Sequence, residues 1–180
     1  MLRNYLKLTF FLSVLLLLVG CATTQINAPA NAKKLQGIFG VVHNHQAESG
    51  RFIWVQMADD SFVLELYGPL GLGATALTRN AAEVTLTTAN GKIYKADSPE
   101  ALLEKVLGWS MPISGMSSWL WAKPVSGIPF TAQYDYGHHL TQLHQEGWKI
   151  IYTWQRGQVR KIVMTQNHVR ITVVVNQEVN

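Results

Sequence analysis

The sequence predicts a mainly β protein: a strongly curved antiparallel sheet of about eleven strands, with short helices across its open face. Three observations predict it. From Leu35 on, short runs rich in Val, Ile, Thr and aromatic residues recur, separated by turn-like breaks. Most of those breaks are too short to join anything but antiparallel neighbours. The run of strands is interrupted once, by a stretch that carries helix-start signals.

The first six strands read as Gly37–Asn44, Gly50–Met57, Ser61–Tyr67, Gly73–Arg79, Glu83–Thr88 and Lys92–Ala96. Five follow the interruption: Phe130–Tyr136, His139–Gln145, Gly147–Gln155, Gln158–Gln166 and His168–Asn176. Asp59-Asp60, Asn90-Gly91, Glu146-Gly147 and Arg156-Gly157 suit tight turns, because these residues tolerate positive φ or bond their own backbone. The helical stretch opens at Ser98-Pro99-Glu100. Ser98 is a good N-cap, Pro99 suits the first helical position, and Glu100 favours the positive helix end. Ala101, Leu102, Lys105 and Val106 follow at helical spacing, up to Gly108. A second short helix is expected from about Ser114 to Trp121, before Pro124.

Several strands are apolar on both faces. Phe52 and Trp54 oppose Ile53, Val55 and Met57; Phe62, Leu64 and Leu66 oppose Val63 and Tyr67; Trp148, Ile150, Tyr152 and Trp154 oppose Ile151. A half-wet antiparallel sheet alternates more cleanly. Either protein covers both faces, or one face lines an apolar cavity. With two short helices as cover, the second reading is preferred. Gly108–Lys123 holds three Trp and two Met, either a helix packed on the core or a lid of soft side chains. Candidate cavity residues on the strands are Phe52, Trp54, Leu64, Leu66, Ile150 and Tyr152; on the lid they are Met111, Met116, Trp119 and Leu120. Between strands, Pro69, Leu70 and Gly71 form an apolar turn where polar residues are usual. Leu70 either stands exposed at its tip or folds back on the core.

Composition sets the outer bounds. The chain has 180 residues, 48% hydrophobic and 14% charged, with a mean hydropathy of +0.07, which excludes a disordered chain. One Cys excludes an internal disulfide framework. Residues 8–18, LTFFLSVLLLL, follow Arg3 and Lys7. As a helix they rise about 16 Å, too short for roughly 30 Å of hydrocarbon and about right for a signal peptide. Residues 1–20 are therefore read as a removed leader, 21–34 as a polar tether and 35–180 as one domain. Without the leader, 13 Lys+Arg face 11 Asp+Glu, too weak a bias to suggest nucleic acid.

Leu18-Val19-Gly20-Cys21 resembles the bacterial lipobox. That resemblance implies cleavage before Cys21, a diacylglyceryl group on its thiol and acylation of the new amino terminus. Ala22, in place of Asp, implies the outer membrane. More broadly, GRFIWVQMADDSFVLELYGPLG (Gly50–Gly71), NGKIYKADSPEALLEKVLGWSMPI (Asn90–Ile113), SSWLWAKP (Ser117–Pro124) and GWKIIYTW (Gly147–Trp154), in that order and spacing, resemble the LolB family of outer-membrane lipoprotein receptors. The resemblance implies a LolA/LolB-like open half-barrel closed by helices over a hydrophobic cavity. It implies that acylated lipoproteins are taken from the periplasmic carrier LolA and placed in the outer membrane. It places the delivery loop at Pro69, Leu70 and Gly71. The tether is shorter than the family's usual helical segment, and Gln155–Arg160 is a tight turn where relatives often carry a longer loop.

No enzyme constellation appears. There is no G-x-S-x-G, no P-loop and no dinucleotide fingerprint. His43 and His45 lie two apart on an expected strand, without an H-E-x-x-H or a carboxylate cluster to make a metal site; exposed strand-end histidines are the preferred reading. No cofactor is expected beyond the covalent acyl groups on Cys21. The expected partners are LolA, lipoprotein cargo and outer-membrane lipid, with no nucleic acid, around a monomer. Arg51, Lys92 and Lys95 are candidates for facing an acidic carrier. A general hydrophobic-ligand carrier and a structural outer-membrane lipoprotein are the alternatives. The scaffold predicts a filled core and no bound lipid.

Overall fold

A computed structural model describes residues 31–57, 59–68, 74–81, 83–107 and 111–179. Cys21, Pro69, Leu70, Gly71 and the leader lie outside the described residues. The strands are β1 (Lys33–His43), β2 (Gln46–Gln56), β3 (Phe62–Tyr67), β4 (Thr75–Arg79), β5 (Val84–Thr87) and β6 (Ile93–Ala96). After α1 (Pro99–Leu107) and α2 (Ile113–Trp119) come β7 (Phe130–Tyr134), β8 (Leu140–Gln145), β9 (Trp148–Gln155), β10 (Gln158–Gln166) and β11 (Val169–Val179). The expected mainly β class, with an eleven-stranded antiparallel sheet and two short helices, is what the described residues form.

The sheet order is β6-β5-β4-β3-β2-β1-β11-β10-β9-β8-β7. Two meanders, one before the helices and one after, are joined edge to edge by the first and last strands. β6 and β7 remain as open edges. The β1–β11 seam pairs Ile38 with Val174 and Val42 with Arg170. It slips by one residue between Gln36 and Gly37. A Cβ at Gly37 would lie 2.0 Å from the Val174 carbonyl oxygen, so only glycine permits this approach.

β1 starts at Lys33, inside the segment read as tether, because Lys33 and Lys34 already pair with Gln56 and Val55. β11 likewise runs past Asn176 to Val179. The turns are where they were expected: Asp60, Glu146 and Arg156 all take positive φ. Ser98 caps α1 through its hydroxyl, which accepts from the Ala101 N–H at 3.1 Å.

Burial decides the question of the two apolar faces. Phe52, Trp54, Phe62, Leu64, Leu66, Trp148, Ile150 and Tyr152 are buried, while Ile53, Val63, Tyr67 and Ile151 on the other face are only half-buried or exposed. One face carries the core and the helices; the other is largely open to water. Val55 is the exception, buried on the outer parity.

Candidate functional site

The helices settle on the inner face through their own apolar stripes. α1 buries Leu102 and Leu103 over β5 and β6. α2 buries Ile113, Met116 and Trp119. Gly115 is part of that packing, since a Cβ there would lie 2.5 Å from the Trp119 ring. Beneath α2 is a cleft of about 20 Å³. Its floor is Phe39, Phe52, Trp54, Leu64 and Leu66 from β1–β3, with Ile171 and Val173 from β11; its roof is Met111, Met116 and Leu120. Every lining side chain is apolar. Trp54 is held flat by stacking on Phe62, ring centres 4.5 Å apart, while its indole N–H donates to Gln56 Oε1 at 3.1 Å.

α2 is fastened at both ends by different chemistry. Pro112, which precedes α2, supplies no side-chain cap. The Glu100 carboxylate of α1 serves instead, accepting from the Ser114 backbone N–H at 2.6 Å and from its hydroxyl at 3.2 Å. A carboxylate at a helix N-terminus also offsets the positive end of the dipole. The far end is fixed by Gln145, a buried amide on β8. Its Oε1 accepts from Trp119 Nε1 at 2.9 Å and from the Val125 N–H at 2.8 Å. Its Nε2 donates to the Val125 and Ile128 carbonyls at 2.9 and 3.0 Å. The Tyr152 hydroxyl donates to the Trp119 carbonyl at 3.0 Å, and burial pushes that phenol above its ordinary range. At the sheet's end, the Lys33 ammonium sits 5.5 Å from the Trp121 ring centre, tying the start of β1 to the segment after α2.

Seven of the side chains expected in the cavity therefore line the cleft: Phe52, Trp54, Leu64, Leu66, Met111, Met116 and Leu120. Trp119, Ile150 and Tyr152 do not. They are buried beside it, where the end of α2 packs on β9, and two of them belong to the fastening. Phe39, Ile171 and Val173 were missed. Their alternation was visible, but they meet β2 and β3 only because β1 pairs with β11. Gln145 was missed as well; a lone Gln at a strand end carries no signal until its four partners surround it.

The histidine expectation needs correction. β1 ends at His43, while Asn44 and His45 form the turn with positive φ, so the two rings do not share a strand. His43 is buried rather than exposed, its Nε2 3.9 Å from the Glu48 carboxylate. Among the described residues, no three His, Cys, Asp or Glu side chains are grouped to hold a metal ion. Also among them, no helix is long and apolar enough to cross a membrane. Lys95, a candidate for facing a partner, is bonded to Glu83 at 2.7 Å. Gly68, the last described residue before the Pro69-Leu70-Gly71 turn, has φ +127°, a conformation that glycine alone adopts readily.

Comparison with known proteins places this architecture. A family model described as outer membrane lipoprotein LolB matches residues 32–177. The outer-membrane lipoprotein LolB of Chromohalobacter salexigens is 37% identical over 152 residues, covering 82% of this chain and 70% of that protein. The LolB of Francisella tularensis subsp. novicida is 30% identical over 170 residues, covering 84% and 80%. Among solved structures, a DUF1329 family protein from Desulfovibrio piger shares the fold, with a TM-score of 0.53 at 7% identity over 82% of this chain and 84% of that one. The family resemblance read from the sequence is thus borne out, and the chain belongs to the LolB family of outer-membrane lipoproteins.

Proposed function

We propose that this chain is a lipid-anchored receptor at the periplasmic face of the outer membrane. It accepts acylated lipoproteins from LolA and passes them to the bilayer, holding their acyl chains beneath α2 without a nucleotide. The observation that carries this is the cleft: a wholly apolar floor under a methionine-bearing roof, in a chain of the LolB family. Thioether side chains are flexible and reshape around a greasy ligand, as a lid over acyl chains of varied length requires.

Energetics require such a site. A triacylated cargo carries three chains of about 15 methylenes, and exposing them to water costs on the order of 35 kcal/mol. Unassisted crossing of an aqueous compartment is excluded at that cost. With no nucleotide consumed, transfer runs downhill from carrier to receptor to membrane. The cleft therefore binds acyl chains more tightly than the carrier and less favourably than the bilayer. Its volume of about 20 Å³ is room for a single water. On this reading the cleft is shut when empty, and α2 has to lift to admit cargo.

The anchor is Cys21, acylated after removal of residues 1–20. Leu70, in the Pro69-Leu70-Gly71 turn, touches the bilayer at delivery. One Leu gains about 1.5–3 kcal/mol on leaving water, enough to graze a membrane and too little to hold there.

The test is handover. A form starting at Ala22 is mixed with LolA carrying a labelled lipoprotein, alongside a Leu70→Glu variant. Label moving to the wild type supports the receptor, and a variant that accepts label but fails to release it to liposomes assigns delivery to Leu70. Label that stays on LolA while the protein takes up an apolar dye overturns the reading in favour of a general carrier. Binding of neither favours the scaffold.

A further inference from the structure

The outer face of the sheet, on which neither described helix packs, is unusual in charge. Three rows cross β1, β11, β10 and β9 on that face. They read Val42-Arg170-Thr165-Lys149, Gly40-Thr172-Val163-Ile151 and Ile38-Val174-Lys161-Thr153. Three cations and five aliphatic side chains share these twelve positions with three Thr and a Gly, and there is no carboxylate. The rows continue onto β2 as Ala47, Ser49 and Arg51 and onto β8 as His144 and Gln142, again without one. Ile38, Val42 and Ile151 are 41–48% exposed. From Gly147 to Asn176 the chain has five Lys or Arg and no Asp or Glu, against 13 and 11 over the whole of residues 21–180.

We infer that this face lies on an anionic phospholipid surface. Cations interleaved with single aliphatic side chains on an open face match a charged headgroup layer with hydrocarbon just below it. A protein partner is less well matched, because these twelve positions hold no aromatic side chain to serve as an anchor. β1, which supplies Ile38 and Val42, is also the first strand after the polar segment that follows Cys21. Eleven residues lie between Cys21 and Lys33, and the twelve chain steps reach at most about 40 Å. An anchor at Cys21 would keep this face near a bilayer, but the contact itself is assigned to the domain and needs no anchor.

The buried core runs from Leu35 to Val175, so a form starting at Ala22 contains all of it. That form is sedimented with vesicles of phosphatidylglycerol mixed with phosphatidylethanolamine, or of phosphatidylcholine alone. Preferential binding to the anionic vesicles, weakening as salt is raised, is expected. A K149E/K161E/R170E variant is expected to lose at least about tenfold in partitioning. An R79E/K105E/K123E variant, equal in net charge and outside these rows, is expected to keep it. Should the first variant fail to unfold cooperatively, K149Q/K161Q/R170Q replaces it. Equal binding to both vesicle types, or equal loss in both variants, overturns the inference. So does unchanged vesicle binding with impaired uptake from LolA, which would make the face a protein-docking surface. Loss of vesicle binding with dye uptake retained separates this contact from the cleft, so either reading fails independently of the other.

Discussion

Gln145 shows how much of the lid rests on one side chain. Its amide satisfies four groups from three residues, three of them backbone groups of Val125 and Ile128 in the segment after α2. Truncation leaves the buried Trp119 N–H and three part-buried backbone groups without this partner, and an unsatisfied buried group costs more than a net hydrogen bond contributes. Gln145→Ala is expected to lower unfolding free energy by about 3 kcal/mol in urea titration. A loss no larger than that of an exposed substitution would show that water replaces the amide. Tyr67 offers a pH test. Its hydroxyl donates to the Glu65 carboxylate, which raises the phenol from 10.0 to about 12. A raised folded pKa means that the proton is held more tightly in the native state. That stabilisation is complete below pH 10 and is lost as pH rises towards 12. Phenolate absorbance should show Tyr67 titrating late alongside the buried Tyr152, and the Tyr67 component should disappear in Tyr67→Phe and move earlier in Glu65→Gln. None of these pairings was legible in the sequence. Glu65 and Tyr67 are two apart on a strand, as many side chains are, and Gln145 meets Trp119 across 26 positions.

Among the elements, the helices separate into a fixed end and a releasable one. Four hydrogen bonds to Gln145 and one from Tyr152 hold the segment from Trp119 to Ile128, whereas the start of α2 is held by Glu100. On the proposed opening, α2 would swing from Trp119 and let go at Ser114. Glu100→Ala should speed uptake of an apolar dye by about tenfold, equivalent to about 1.4 kcal/mol, with a stability loss of similar size. Unchanged stopped-flow kinetics would place the releasing contact elsewhere. Element identity was the most legible layer of this fold. Ser98-Pro99-Glu100 marked the start of α1, because a cap, a fixed φ and an acid at the dipole act within one turn. The strands followed from alternation and the Gly-containing turns. Their ends were less legible: β1 begins earlier and β11 runs later than composition suggested, because pairing with neighbours, not the local residue mix, decides where a strand stops.

On the scale of the whole molecule, the β1–β11 seam matters most. It turns two meanders into one sheet and carries Ile171 and Val173 to the cleft floor beside Phe39 and Phe52. An occupant of the cleft braces floor and roof at once, so binding is linked to global stability. Palmitate at one hundred times its dissociation constant should add about 2.7 kcal/mol. For a domain of this size that raises Tm by about 5–10 °C. A Tm that does not respond to palmitate, together with no uptake of dye, would mean that α2 stays shut.

The sequence by itself determined the class of elements, the order in which they follow one another and the apolar parity of each strand. These depend on backbone preferences and periodicities within a few residues, which a single chain displays directly. The family pattern was legible for the same reason, as local segments in a set order. Only the tertiary structure decided which apolar face is covered, which strands meet at the seam, and that Trp119 and Tyr152 fasten the end of α2, with Ile150 buried beside them, while Phe39, Ile171 and Val173 line the cleft. Those outcomes depend on contacts between residues far apart in the chain. Such contacts are selected by the packing of the whole sheet, and no local window of sequence contains them.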